Sequence, residues 1–376
     1  MKMTADVKPN IITVPEHTVE IITNSGEGAQ KCAQIFGQTC AKMGNGVWTV
    51  EIIPAEIEPP HHTVTSTSGN IIRFGTEKVT NWGDQSKLAV AFNDQVCLSR
   101  HRLGSFDDDC IILQESMWEN HEDETIRENY KNAMEEMSSK NYRFISVPIE
   151  EETLKIVDNP QLGKNMFALG LLTEIYQRDL SIIERQIAHI FKHKSAKVTE
   201  VNIELVKHGI QWARENLDFQ FDIESKPAEE ERVVMNGNQA SALGAIAAGM
   251  EFCAMYPITP ATSVSHELAA IIENYGGMVH QAEDEIAAAG AALGASYGGK
   301  VALTVTSGPG LALKTEFLAL AIMTEIPLVV LDVQRGGPST GLPTKVEQSD
   351  LLSSLYGQPG DAPRVVIAPR SIEDCF

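Results

Sequence analysis

From residue 18 onward the chain alternates short apolar runs with longer amphipathic stretches. Runs rich in β-branched and apolar residues at 18–23, 47–52, 70–74, 88–92, 110–113 and 144–149 have the composition of strands, and Asn24-Ser-Gly26 breaks the first of them. The stretch 29–43 places Ala29, Cys32, Phe36, Cys40 and Met43 on one face at helical intervals. Further helical patterns run from 167 to about 194 and from 198 to 216. Between 120 and 140 the chain is charged, mostly acidic, and lacks a clean apolar stripe, which predicts a solvated surface segment. These patterns predict an α/β domain over 18–221 behind a tail at 1–17, and the Pro and charge density of 222–233 marks a linker.

Beyond the linker, over 234–376, the alternation is cleaner. An Ala-rich helix (239–248) precedes a strand (251–255), and helices at 262–274, 285–297 and 311–324 alternate with strands at 278–280, 301–306 and 328–333. Alternation at this spacing predicts a parallel sheet wound with helices. Four loops of unusual chemistry, 256–260, 281–285, 307–310 and 334–341, each follow a strand. All four should therefore gather at the carboxyl edge of the sheet, where open α/β sheets bind ligands.

Composition sharpens this picture. Only nine of the 87 residues from 234 to 320 are Asp, Glu, Lys or Arg, about half the chain's 22%. Elements covered on both faces, and an extensive subunit interface, each lower charge in this way. The 376-residue chain carries a net charge of −21, with no Lys/Arg cluster interleaved with aromatics, so nucleic acid is not expected as a partner. Its six cysteines form no CxxC and no short Cys/His spacing suited to zinc or an iron–sulfur cluster, and Cys32 and Cys40 read as core thiols. No apolar run reaches the roughly 18 residues of a membrane span. Residues 1–20 lack the apolar centre of a secretory signal, so a cytoplasmic chain with no membrane partner is expected.

In Tyr256-Pro-Ile-Thr-Pro260, prolines flank Thr259 and point one hydroxyl outward at a helix start, suited to a carboxylate or phosphate oxygen. Glu283-Asp-Glu285 sets three carboxylates where a helix begins, more than capping requires, and one of them could move a proton. Ser307-Gly-Pro-Gly310 permits close backbone approach to something planar or anionic. Arg335, followed by glycines and two hydroxyls, is suited to gripping a carboxylate in bidentate fashion. On one edge, these describe a site for a small anionic substrate beside a proton-handling carboxylate.

Residues 236–376 resemble the α subunit of 2-oxoacid:ferredoxin oxidoreductases, most like the 2-oxoglutarate synthase branch. The resemblance rests on Gly237-Asn-Gln-Ala, Tyr256-Pro-Ile-Thr-Pro, Gln281-Ala-Glu-Asp-Glu-Ile-Ala-Ala, Thr306-Ser-Gly-Pro-Gly, Glu325-Ile-Pro-Leu-Val-Val, the run from Asp332 to Lys345, and Glu347-Gln-Ser-Asp350. Residues 18–215 resemble the γ domain that this branch fuses ahead of the α part. The fold implied is α/β throughout, a γ-type domain followed by a thiamine-diphosphate pyrimidine-binding domain. The activity implied is coenzyme A-dependent oxidative decarboxylation of 2-oxoglutarate to succinyl-CoA, with electrons passed to ferredoxin. The diphosphate, its Mg²⁺ and a [4Fe-4S] cluster would belong to a β subunit, in a dimer of αβ pairs. By motif, Glu285 would hydrogen-bond the ring nitrogen of the aminopyrimidine and so help remove the thiazolium proton. Thr259 and Arg335 would bind the substrate carboxylate. Tyr256, Pro257, Ile258 and Ser307 would line the cofactor, with Pro257 against the pyrimidine ring.

The chain departs from the family in two places. Gly26-Glu-Gly-Ala-Gln30 has one glycine fewer and an added acid, and Glu56-Ile-Glu-Pro-Pro60, followed by His61-His62, stands where the family has Glu-Ile-Arg-Gly-Gly. Added acids make a poor phosphate cradle, and the His pair reads as loop surface rather than a metal site. Family α chains continue past this point and residues 371–376 read as the start of a helix, so an incomplete chain is expected. Pyruvate or a branched-chain 2-oxoacid as substrate, or a non-catalytic assembly subunit of the same fold, are the alternatives.

Overall fold

The computed structural model describes residues 9–54, 61–227 and 232–376. It divides into two units, Met1–Val234 and Met235–Phe376.

In the first unit the strands are β1 (Asn10–Thr13), β2 (Glu16–Asn24), β3 (Gly46–Ile52), β4 (Thr67–Gly75), β5 (Ser86–Ala91), β6 (Phe106–Glu115), β7 (Arg143–Val147) and β8 (Phe219–Asp222). The helices are α1 (Ala29–Lys42), α2 (Asp94–Arg102), α3 (Glu124–Met137), α4 (Ile149–Leu154), α5 (Lys164–Ile175), α6 (Leu180–Ile190) and α7 (Ala196–Asn216). Six strands form one sheet in the order β3-β4-β2-β5-β6-β7; β4 runs antiparallel to β2 and β3, and the other pairs are parallel. Strand parity sorts two cores. Val19, Ile21, Leu88, Val90 and Leu113 face a large core completed by α1, α5, α6 and α7. Ile22, Ala89, Ala91, Cys110 and Ile112 face a smaller one under α2 and α3. Cys32 and Cys40 are buried in the first core as expected, and burial pushes the Cys40 thiol up to about 12.

Several sequence expectations are corrected here. Residues 10–13 are not tail: they pair in parallel with β8, and β2 already begins at Glu16. The acidic stretch 120–140 is mostly exposed as expected, but it contains α3, capped by Asp123, with Ala133 and Met137 buried and Met134 packed against the smaller core. The pattern from 167 to 194 is two helices. The chain turns at Gln177 (φ 52°), Arg178 spans the corner from Tyr176 O to Asn45 Oδ1, and Asp179 caps α6. At the start of the expected linker, Ile223 is buried and the carbonyl of Glu224 accepts from Asn45 Nδ2. His62 is not loop surface: its Nε2 lies 2.8 Å from Asp94 Oδ1 and its ring stacks on Trp118. The segment 56–60 lies outside the described residues.

The second unit contains α8 (Gly237–Ala247), β9 (Phe252–Met255), α9 (Thr262–Ile271), β10 (Met278–Gln281), α10 (Glu285–Tyr297), β11 (Ala302–Thr306), α11 (Gly308–Leu313), α12 (Thr315–Thr324), β12 (Val329–Asp332), α13 (Leu351–Tyr356) and α14 (Ile372–Cys375). Its four strands are all parallel, in the order β10-β9-β11-β12. Cys253, Met255, Leu303 and Val305 face a core with α8 and α9. Ala254 on the opposite face packs with Ala288 and Ala292 of α10, a layer of small side chains that lets this helix lie close to the sheet. Among the described residues no helix is long and apolar enough to cross a membrane.

Candidate active site

Because all four strands of the second unit are parallel, the loops after Met255, Gln281, Thr306 and Asp332 leave the same edge of the sheet. The three carboxylates after β10 separate there. Asp284 Oδ1 accepts from the Ala287 N–H at 2.7 Å and caps α10, while Glu283 is exposed. Glu285 lies against the next loop: a Cβ added at Gly310 would sit 2.8 Å from Glu285 Cγ and 3.4 Å from its Oε1. Gly308 is likewise covered by a carboxylate, with Asp350 Oδ1 at 2.3 Å from a Cβ placed there. The glycines of Ser307-Gly-Pro-Gly310 therefore serve close approach, and the anions that approach them are the chain's own.

Ser307 is fully buried and its hydroxyl has no hydrogen-bond partner. Arg335, 8% exposed, donates from Nη1 to the carbonyl of Thr259 (2.9 Å) and from Nη2 to that of Thr340 (2.7 Å). It thus ties the loop after β9 to the loop after β12. Its Nε is buried without a partner, so one of its three nitrogens is uncommitted. Tyr256, Pro257 and Thr259 are exposed, and Ile258 packs against the α8–α9 core. All seven residues singled out from sequence stand on this one edge.

Sequence reasoning assigned no role to two further features. Asp332, at the end of β12, pairs with Asp350, and burial followed by that neighbour pushes it up to about 7. Lys314 is fully buried behind Glu285. The available signal was a lone charge closing each apolar run, Leu328–Leu331 for the acid and Leu311–Leu313 for the base.

An unpaired buried hydroxyl, a partly unpaired guanidinium and an inward carboxylate on a parallel-sheet edge are polar groups prepared for a bound cofactor or substrate. Residues 243–376 match the family described as pyruvate flavodoxin/ferredoxin oxidoreductase, thiamine diP-bdg, which is a thiamine diphosphate-binding domain. Residues 19–212 match the pyruvate ferredoxin/flavodoxin oxidoreductase family, and the chain belongs to that family. It is 38% identical over 374 residues to the 2-oxoglutarate oxidoreductase subunit KorA of Mycobacterium tuberculosis, covering 94% of this chain and 56% of that one. It is 48% identical over 146 residues to the 2-oxoglutarate synthase subunit KorA of Methanothermobacter marburgensis, 39% of each chain. The 2-oxoglutarate:ferredoxin oxidoreductase of Magnetococcus marinus, solved with 2-oxoglutarate, coenzyme A and succinyl-CoA bound, superposes with a TM-score of 0.82 at 33% identity. That match covers 96% of this chain and 60% of the other. The chain thus spans little more than half the length of its full-length relatives.

Proposed function

We propose that this chain is the α part of a 2-oxoglutarate:ferredoxin oxidoreductase and that its second unit holds the aminopyrimidine of thiamine diphosphate. The observation that carries this reading is the separation of the three carboxylates, which leaves Glu285 alone turned onto the Ser307–Gly310 loop. Bound thiamine diphosphate supplies the electron sink for decarboxylation of a 2-oxoacid. Glu285 would share a proton with the ring nitrogen, Ser307 would offer its unpaired hydroxyl, and Tyr256, Pro257 and Ile258 would line the ring and keep water from it. Thr259 and the uncommitted Nε of Arg335 orient the substrate carboxylate. The 2-oxoglutarate assignment rests on the substrate named for relatives at 33–48% identity.

A β subunit completes the enzyme in this reading, contributing the diphosphate and Mg²⁺ contacts and a [4Fe-4S] cluster that delivers electrons to ferredoxin. Coenzyme A takes the acyl group, and two αβ pairs associate. Exposed Tyr275, Tyr297, Met323, Tyr356 and Ile367 in the second unit support a covering partner. The test is anaerobic co-purification with that partner, followed by coenzyme A-dependent viologen reduction on 2-oxoglutarate and pyruvate in parallel. Faster reduction with 2-oxoglutarate is expected, and Glu285→Gln should lower turnover roughly 10²–10⁴-fold. Preference for pyruvate overturns the substrate assignment. Full turnover in Glu285→Gln overturns the role of that carboxylate, and no reduction with either acid by a cluster-loaded complex favours an assembly subunit.

A further inference from the structure

Lys314 stands where α11 gives way to α12, behind an apolar turn, and its side chain is fully buried. Its Nζ donates to the main-chain carbonyl of Glu285 (2.8 Å) and to Thr304 Oγ1 of β11 (3.2 Å). Both acceptors are neutral. A buried ammonium held by neutral acceptors is costly, and Met or Leu would fill the space without that cost. Burial draws its pKa down to about 8, while the charges of Glu285 and Asp284 at the start of α10, and then Cys253 of β9, act in the opposite direction. These are the titratable groups facing the ammonium among the described residues. Residue 285 is thus held from two sides: Gly310 makes room for the Glu285 Cγ, and Lys314 binds the main-chain carbonyl of the same residue.

We propose that Lys314 is a positioning residue for Glu285, anchoring the first residue of α10 to β11 and placing a positive charge beside the proton-handling carboxylate. The proposal rests on the role given to Glu285 above. A charge kept in a small-residue layer at the expense of stability is the trade expected of a functional site rather than of packing.

The test uses Lys314→Met, which fills the space without charge, and Lys314→Gln, which keeps a donor without charge. Lys314 titrates at a lower pH folded than unfolded, so the folded state binds fewer protons between about pH 8 and the ordinary lysine value of 10.5. Its penalty is full below pH 8 and fades as pH rises through that window. Lys314→Met should therefore unfold at a higher temperature than wild type at pH 7, with the gap closing from pH 8 to 10. In the assembled enzyme, kcat should fall about 10–100-fold in Lys314→Met, as for other groups that orient a first contact, with KM for the 2-oxoacid within about twofold. Wild-type kcat should decline above pH 8 and Lys314→Met should lack that decline, and Lys314→Gln should recover less than half of the lost turnover. A Lys314→Met enzyme that is less stable at every pH, or that keeps wild-type kcat, overturns the proposal, as does full recovery in Lys314→Gln. If Glu285→Gln is inactive while Lys314→Met is fully active, only the positioning role fails. If Glu285→Gln is active, the reading of the site fails first.

Discussion

Asp332 and Asp350 compress two acids into one small space. The Ser349 hydroxyl lies 2.7 Å from the carbonyl of Arg335 and 3.1 Å from Asp350 Oδ1, and the Asp350 N–H donates to Gln334 Oε1. The pair therefore anchors the strand end from which Arg335 departs. Burial and the Asp350 charge raise Asp332 from the ordinary carboxylate value to about 7, so the folded state holds a proton that the unfolded chain has released above pH 4. That stability is complete below pH 4 and is lost as pH climbs through 7. Thermal unfolding followed from pH 4 to 8 should show Tm falling for the wild type and a flatter profile for Asp332→Asn, which should be the more stable protein at pH 8.

Helices α5 and α7 approach closely through Gly170 and Gly209. A Cβ at Gly170 would meet the carbonyl oxygen of Val206 at 2.2 Å, and one at Gly209 would meet that of Phe167 at 2.2 Å. Main-chain atoms cannot rotate away, so Gly209→Ala should cost about 1–3 kcal/mol in urea unfolding. The sequence signalled the second unit well, because β9, β10 and β11 are each followed within seven residues by a helix. The span of α10, Glu285–Tyr297, and the common edge of the four loops were both legible. Other elements depended on partners distant in sequence. β1 exists because β8, some 200 residues later, pairs with it, and the corner at Gln177 depends on Arg178 reaching Asn45. Within the site, residue types and edge were readable. That Arg335 would spend two nitrogens on main chain was not, since a pattern of side chains does not encode which carbonyls a loop presents.

At the scale of the whole molecule the apolar exposure is uneven. The second unit leaves Tyr297, Met323 and Ile367 more than four-fifths exposed, at 81%, 82% and 82%, the first of them in the least charged part of the chain. A surface of this kind binds water poorly and favours association. Mixing the chain with the proposed β partner should slow backbone hydrogen exchange around Tyr297, Met323 and Ile367 and abolish binding of a hydrophobic dye. Unchanged exchange at those positions would move the interface elsewhere.

The Arg335 bridge has one further consequence. Its guanidinium holds the peptide oxygens of residues 259 and 340, not their side chains. Every amino acid carries that oxygen, so the bridge is indifferent to what is encoded at either position. The side chains at 259 and 340 are thereby released from duty in the bridge, and if the proposed substrate role holds, a lineage can exchange them for a new 2-oxoacid without first rebuilding the frame that presents them.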